Sequence, residues 1–268
     1  MRLSVRHATV SQFDAPMRFV TQSHRLTPVS TGGQQVRAWS VSAEGALFGA
    51  GFTDGAGDAI NTMTVQGPVT RIEVLVEGVV ETTDTAGVLR GHRELMQPRV
   101  YLQPTSFTKP NRLLVELGKE AVEGGDEGRL DRAHRLSAAV SAAIEYTPGA
   151  TAASTTAAEA LALGKGVCQD MTHALVALAH SAGMPARYVT GYLFTEDAEG
   201  EAAHAWAELH VDGLGWIGFD PANRCCPDER YIRLGSGRDA REAAPIRGVS
   251  RGGAGEAMDV SVVVSAQQ

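Results

Sequence analysis

Over the first hundred residues, apolar and polar positions alternate in short runs broken by Pro, Gly and Asp. Residues 2–10, 17–26, 35–42, 58–65 and 70–82 are rich in Val, Ile, Thr and aromatics, and clusters such as Asp54-Gly55-Ala56-Gly57-Asp58 separate them. Such runs predict strands, and several short strands at this spacing predict a small antiparallel sandwich over residues 1–105. Residues 86–128 read as a less regular connector, with Pro98, Pro104, Pro110 and a solvated polar run from Glu123 to Gly128. From Arg129 the period changes to that of a helix: Leu130, Ala133, Leu136, Val140 and Ile144 lie three or four apart, and Pro148-Gly149 ends the run. Thr156-Ala157-Ala158-Glu159 has the form of a capping box and opens a second helix that Gly164 stops. Met171, Ala174, Leu175, Leu178, Ala179 and Ala182 form the apolar stripe of a third, with Gly183 and Pro185 beyond its end.

Three strands follow, over 186–195, 204–211 and 216–220. Asp212-Gly213-Leu214-Gly215 joins the last two as a hairpin loop. An irregular segment leads to a final strand at 260–264. The expected fold class is α+β: an N-terminal antiparallel β-sandwich-like domain (1–105) followed by a second domain of helices plus antiparallel sheet (129–268).

Composition narrows the functions open to such a chain. The 268 residues are 43% hydrophobic and 21% charged, which is the make-up of a globular protein. A net charge of −7 argues against a nucleic-acid partner, because phosphate binding needs a basic surface. There is no run of about 18 apolar residues, so no membrane span is expected, and Met1–His7 lacks the apolar core of a signal peptide. Three cysteines, two of them adjacent at Cys225-Cys226, make no disulfide framework and fit a reducing compartment; the expected location is the cytoplasm. Adjacent cysteines are also wrongly spaced for zinc, and Gly235-x-Gly237 lacks the strand–loop–helix setting of a phosphate site. No metal or cofactor is expected.

The candidate chemistry centres on Gly164-Lys165-Gly166-Val167-Cys168-Gln169-Asp170, a glycine-flanked turn that delivers Cys168 to the first turn of the third helix. Unsatisfied backbone N–H groups and the helix dipole favour a thiolate there, and the same N–H groups can stabilise an oxyanion. A free cysteine is more often just a small buried hydrophobe, so the assignment depends on a base and an orienting partner. His204 opens one strand of the hairpin and Asp220 ends the other. If the loop held four residues, pairing Val211 with Trp216, Asp220 would oppose Ala207 and face away from His204. A three-residue loop, pairing Val211 with Gly215, sets Asp220 opposite Trp206 and diagonal to His204, within reach of an imidazole–carboxylate bond. A Cys168–His204–Asp220 triad therefore demands that odd register.

Rival bases are less well placed. His173 and His180 lie on the cysteine's own helix, His210 lies further from Asp220, and His7, His24 and His92 are scattered among strands and loops. Glu208 is an alternative orienter, but it would have to reach along the strand it shares with His204. Asp170, in the same helical turn as the thiol, is expected to point away from it.

Gly166-Val167-Cys168-Gln169-Asp170, Pro185-Ala186-Arg187-Tyr188-Val189-x-Gly191-Tyr192, His204-Ala205-Trp206 and Gly215-Trp216-x-Gly218-Phe219-Asp220-Pro221 resemble the bacterial transglutaminase-like family. This family belongs to the superfamily of animal transglutaminases and papain-like enzymes. Val5-Arg6-His7-Ala8-Thr9 and Leu26-Thr27-Pro28 resemble the domain that precedes the core in these proteins, and Gly237-Arg238-Asp239 and Pro245-Ile246-Arg247-Gly248 resemble the tail of the core. The resemblance implies a papain-like core with Cys168 as nucleophile, His204 as base and Asp220 as orienter. Ala203 stands where serine is usual and Ala222 where threonine is usual. The implied activity is acyl transfer through a Cys168 thioester on a peptide or protein substrate. A cysteine protease or amidohydrolase is the leading form; the alternatives are a protein-glutamine transamidase and a non-catalytic binding module that keeps the fold. The Cys168 N–H is one expected oxyanion donor, with Tyr146 or a side chain near Gln169 open for the second.

Overall fold

The structure is a computed structural model describing residues 1–123, 128–196, 202–252 and 255–267. The N-terminal part contributes β1 (Arg2–His24), β2 (Gln34–Ala43), the short β3 (Ala46–Phe48) and β4 (Phe52–Thr53), and β5 (Ala59–Thr82). A 3-10 turn (Pro98–Leu102) leads into α1 (Arg112–Val122), α2 (Arg129–Ala143), β6 (Glu145–Tyr146), α3 (Ala157–Leu163), β7 (Lys165–Gly166) and α4 (Cys168–Ser181). The chain ends with β8 (Ala186–Leu193), β9 (Ala203–Val211), β10 (Gly215–Phe219), β11 (Tyr231–Gly237), β12 (Ile246–Arg251) and β13 (Glu256–Ala266).

The N-terminal strands form one antiparallel sheet around the β1–β5 pair. Runs 2–10 and 17–26 are halves of a single 23-residue strand, and 58–65 and 70–82 merge likewise into β5. The expected breaks at Pro16 and Pro68 survive only as register shifts between Gln12 and Phe19. Proline cannot donate to a ladder but is tolerated at such irregularities, so the punctuation marks a bulge rather than a strand end. A second correction concerns the C-terminus. Residues 246–266, expected in the second domain, pair with β1 along its other edge: β12 opposite Phe19–His24 and β13 opposite Leu3–Phe13. The last strands thus return to complete the first sheet.

In the second domain α4 is the central element. Every residue from Asp170 to Ala179 is buried, because α1, α2 and α3 cover it on one side and β8 and β9 on the other. The stripe read from the sequence is therefore part of a wholly buried circumference that also takes in Asp170, Thr172 and His173. Thr156 and Glu159 make the expected reciprocal capping box of α3. Two elements escape the sequence pattern. Helix α1 lies in what reads as connector; Asn111 caps it by accepting the Leu114 N–H at 3.0 Å. Strand β11, within the supposedly irregular segment, completes the sheet β10-β9-β8-β11 and is buried throughout. Of the polar run beginning at Glu123, residues 124–127 lie outside the described residues.

The two sheets share a core of Leu3, Val5, Val80, Tyr192, Ile232, Leu234 and Val262. A buried ionic chain also crosses between them. Glu94 binds Arg187 (2.6 Å), Arg187 binds Glu208 (2.7 Å), Glu208 binds Arg233 (2.9 Å), and Arg233 binds Asp58 of the N-terminal part (2.6 Å). Loss of one partner would leave a buried charge uncompensated, so this chain ties the two halves together through a strict pairing requirement.

Candidate active site

Cys168 is the first residue of α4, partly buried against Tyr188, Ala205 and Ala243. Asp170 positions the turn before it. Its Oδ2 accepts the Val167 N–H at 2.9 Å and the Thr151 hydroxyl at 2.6 Å, turning the carboxylate back over the helix start. Gly166 is required by that approach, because a Cβ there would lie 2.8 Å from the Asp170 Cβ. Sequence thus becomes geometry: glycine admits the aspartate, the aspartate holds the turn, and the turn presents the thiol at the helix N-terminus.

The hairpin has the odd register. Gly215 pairs with Val211 and Phe219 with Ala207, with Gly213 and Gly215 both at positive φ in the turn. Asp220 then follows at the position opposite Trp206, diagonal to His204. The His204 Nε2–Asp220 Oδ2 distance is 2.6 Å. Nε2 being held by the carboxylate, Nδ1 is the ring nitrogen left open, and Cys168 lies near enough to act on the ring's charge. Burial alone would depress the imidazolium, but the hydrogen bonds and charges of Asp220 and Cys168 outweigh it and raise His204 to about 9. Asp220 is fully buried; desolvation opposes its charge, yet His204, Asn223 and Tyr231 hold its carboxyl below the usual range.

Asn223 and Tyr231 are the site residues that the sequence reading misses. The Tyr231 hydroxyl donates to Asp220 Oδ2 at 2.8 Å and the Asn223 amide at 2.7 Å. Tyr231 and Trp206 also wall the His204 ring, with centroids 6.0 and 6.4 Å away. Asn223 follows Asp220 by three residues, a spacing typical of side chains that share a turn; Tyr231 carries no such signal because its strand was not recognised.

The rivals settle elsewhere. Glu208 is taken up by Arg187 and Arg233 rather than by His204. His173 is buried, its Nε2 accepts the Ala240 N–H at 3.0 Å, and burial lowers it to about 4. His210 stacks edge-on against Trp216, and His180 faces the Ala186 carbonyl. His7 and His24 are buried in the N-terminal sheet, where desolvation lowers both to about 4; His92 bonds the Ala56 carbonyl. The Gln169 amide donates to the Ala153 carbonyl at 3.3 Å, while Tyr146 is half-exposed on the strand that pairs with Gly166. Among the described residues no group of three or more His, Cys, Asp or Glu could hold a metal ion.

Residues 116–221 match the core of the transglutaminase-like superfamily, and residues 3–81 match the bacterial transglutaminase-like N-terminal region. An uncharacterised protein of Mycobacterium leprae is 30% identical over 98% of each chain. The chain belongs to the transglutaminase-like superfamily. An uncharacterised protein of Mycobacterium tuberculosis is 37% identical over 39% of this chain and 37% of its own. Among solved structures, the fold matches that of "a Putative Cysteine Protease from Cytophaga hutchinsonii", with a TM-score of 0.76 and 21% identity over 100% of this chain and 92% of that one. The fold is thus a papain-like transglutaminase-like core behind an N-terminal β domain.

Proposed function

We propose that the protein is a cysteine peptidase or amidase that acts through a thioester at Cys168, with His204 and Asp220 completing the triad. The observation that carries this reading is the 2.6 Å His204–Asp220 pair, whose ring charge responds to Cys168, the first residue of a buried helix. A binding module would need none of these three groups in that relation.

In the acylation step Cys168 Sγ attacks the scissile carbonyl carbon as a thiolate. The oxygen that becomes negative is met by the Cys168 N–H, one of the unpaired donors at the helix start. His204, an imidazolium at neutral pH, gives its proton to the leaving nitrogen as the C–N bond breaks. Asp220 holds the ring and offsets its charge throughout. In deacylation His204 takes a proton from water as the water oxygen attacks the thioester carbonyl; the acid product leaves and the proton returns to the Cys168–His204 pair.

Water is the favoured acceptor: Lys109, Lys119 and Lys165 are the only lysines, which offers little for self-crosslinking. Incubation with mixed peptides, with and without a primary amine, read by mass spectrometry, tests the reading. Peptide cleavage that disappears in Cys168→Ala is expected. Amine incorporation without cleavage would select the transamidase, and no Cys168-dependent product at all would select the binding module. A reducing compartment such as the cytoplasm is part of the proposal, supported by three free cysteines; recovery of the native protein from a periplasmic or secreted fraction would contradict it.

A further inference from the structure

The turn after Asp220 is closed on itself. Asp220 and Cys225 exchange both backbone hydrogen bonds, at 2.8 and 3.2 Å, and Asp220 Oδ1 accepts the Ala222 and Asn223 N–H groups. Within this turn Arg224 has φ +56°, a left-handed conformation usually left to glycine or asparagine. The chain therefore accepts backbone strain to hold an arginine at this point. The side chain is exposed and forms no ion pair or side-chain hydrogen bond among the described residues.

Two cavities meet at Arg224. The larger, about 570 Å³, lies against the Ser137–Ala142 stretch of α2 and Phe219 of β10. The smaller, about 280 Å³, runs past Tyr146, Pro221 and Ala222 to Met171 in the first turn of α4. It thus touches the neighbour of Asp220 at one point and the helix that carries Cys168 at another. Small side chains, Ala138, Ser141 and Ala142, leave room along the floor. Glu145, the acidic residue of the smaller cavity, is exposed and makes no ion pair with Arg224.

We infer that Arg224 is a specificity residue that binds a carboxylate of the substrate, so that the enzyme selects peptides with an acidic residue near the scissile bond. This rests on the reading of the site as a peptidase or amidase. A guanidinium presents a planar fork that matches a carboxylate, and an unengaged one beside an open groove is prepared for that partner. The competing explanation is electrostatic: α2 has no basic residue in its last turn, and a cation there would favour the helix dipole.

The test uses N-acetylated, C-amidated octapeptides that carry a single Glu or the matching Gln at each position of a neutral background. Cys168→Ala protein, immobilised, captures peptides without turnover, and mass spectrometry reads the Glu/Gln retention ratio. Retention favouring Glu by roughly tenfold at one position is expected. The preference should be lost in Arg224→Gly, inverted in Arg224→Glu and partly kept in Arg224→Lys. Arg224→Gly should melt no lower than its parent, because glycine relieves the positive φ. An equal Glu/Gln ratio, or a Glu preference unchanged in Arg224→Gly, overturns the inference. A lower melting temperature of Arg224→Gly with no change in the ratio overturns it too and assigns the residue to the helix end. Cleavage by the wild-type protein is scored separately: capture without cleavage keeps the carboxylate site and removes the peptidase reading, whereas cleavage indifferent to Glu does the reverse.

Discussion

Five hydrogen bonds converge on the Asp220 carboxylate: His204, Asn223 and Tyr231 side chains on Oδ2, and two backbone N–H groups on Oδ1. The backbone pair fixes where the carboxylate lies, and its negative charge then fixes the protonation of His204. Asp220→Asn removes that charge while keeping much of the shape. Its kcat/KM should fall on the order of 10³–10⁴-fold. Because the His204 proton is lost as pH rises through about 9, the alkaline limb of the wild-type rate profile should lie near that pH, and in Asp220→Asn it should move lower. A pH–kcat/KM series on both proteins reads this. Tyr231→Phe deletes one of the donors and should cost roughly tenfold in kcat/KM, with the fold intact by circular dichroism. For stability the sign is the same for His204: its raised value contributes fully below the unfolded value near 6.5 and is lost as pH climbs through about 9.

At the scale of elements, the β9–β10 hairpin sets the site more than any single residue does. Adding one glycine after Gly213 would make a four-residue loop and turn Asp220 to the other face; activity should drop to the level of Asp220→Ala, read by the same peptide assay, while the domain still folds. Gly166→Ala should cost about 1–3 kcal/mol in urea denaturation, because its Cβ collides with Asp170 and loosens the turn before Cys168. These elements were legible because their physics is local: period, caps and loop length are written in neighbouring residues. The His204–Asp220 contact was legible for the same reason, since loop parity decides which face Asp220 takes. Strand β11 was not. Its Gly235, Ser236, Gly237 and Arg233 are poor strand signals in isolation and are explained only by partners distant in sequence. Asp58 accepts from Arg233 and from the Ser236 N–H and hydroxyl, and Gly235 leaves space for Arg25. Tyr231, at the start of β11, was missed with it. Helix α1 does carry a stripe, Leu114, Leu117, Gly118, Ala121 and Val122, but it is short and lies between Pro110 and the polar run from Glu123, whose composition reads as connector.

For the whole molecule, the return of β12 and β13 to β1 means that the first sheet is not complete until residues 246–266 are in place. A chain stopped at Pro245 would expose the length of β1 as an unpaired edge and should aggregate, visible as early elution and light scattering in size-exclusion chromatography. The ionic chain from Glu94 to Asp58 is the other whole-molecule tie. Burial opposes the Glu208 charge, but Arg233 and Arg187 hold it down to about 2, so its contribution persists above the ordinary glutamate range and is lost as pH falls toward that value. Glu208→Ala should cost about 3–5 kcal/mol, because two buried arginines lose their shared partner. Acid should weaken the protein well before Glu208 titrates. His7, His24 and His173 are buried neutral at about 4, so the unfolded chain binds more protons between pH 6.5 and 4, and stability should fall through that interval. A melting-temperature series across it reads the slope; a flat profile would mean that these histidines open to water.

The central claim, that Cys168 and His204 act as one unit, is tested most directly by the rate of iodoacetamide alkylation of Cys168 at neutral pH. Peptide mapping separates it from Cys225 and Cys226, and wild type is compared with His204→Ala. Rapid alkylation of Cys168 in the wild type, slowed at least about tenfold when the imidazole is removed, is the expected result. Equal rates in the two proteins would contradict it.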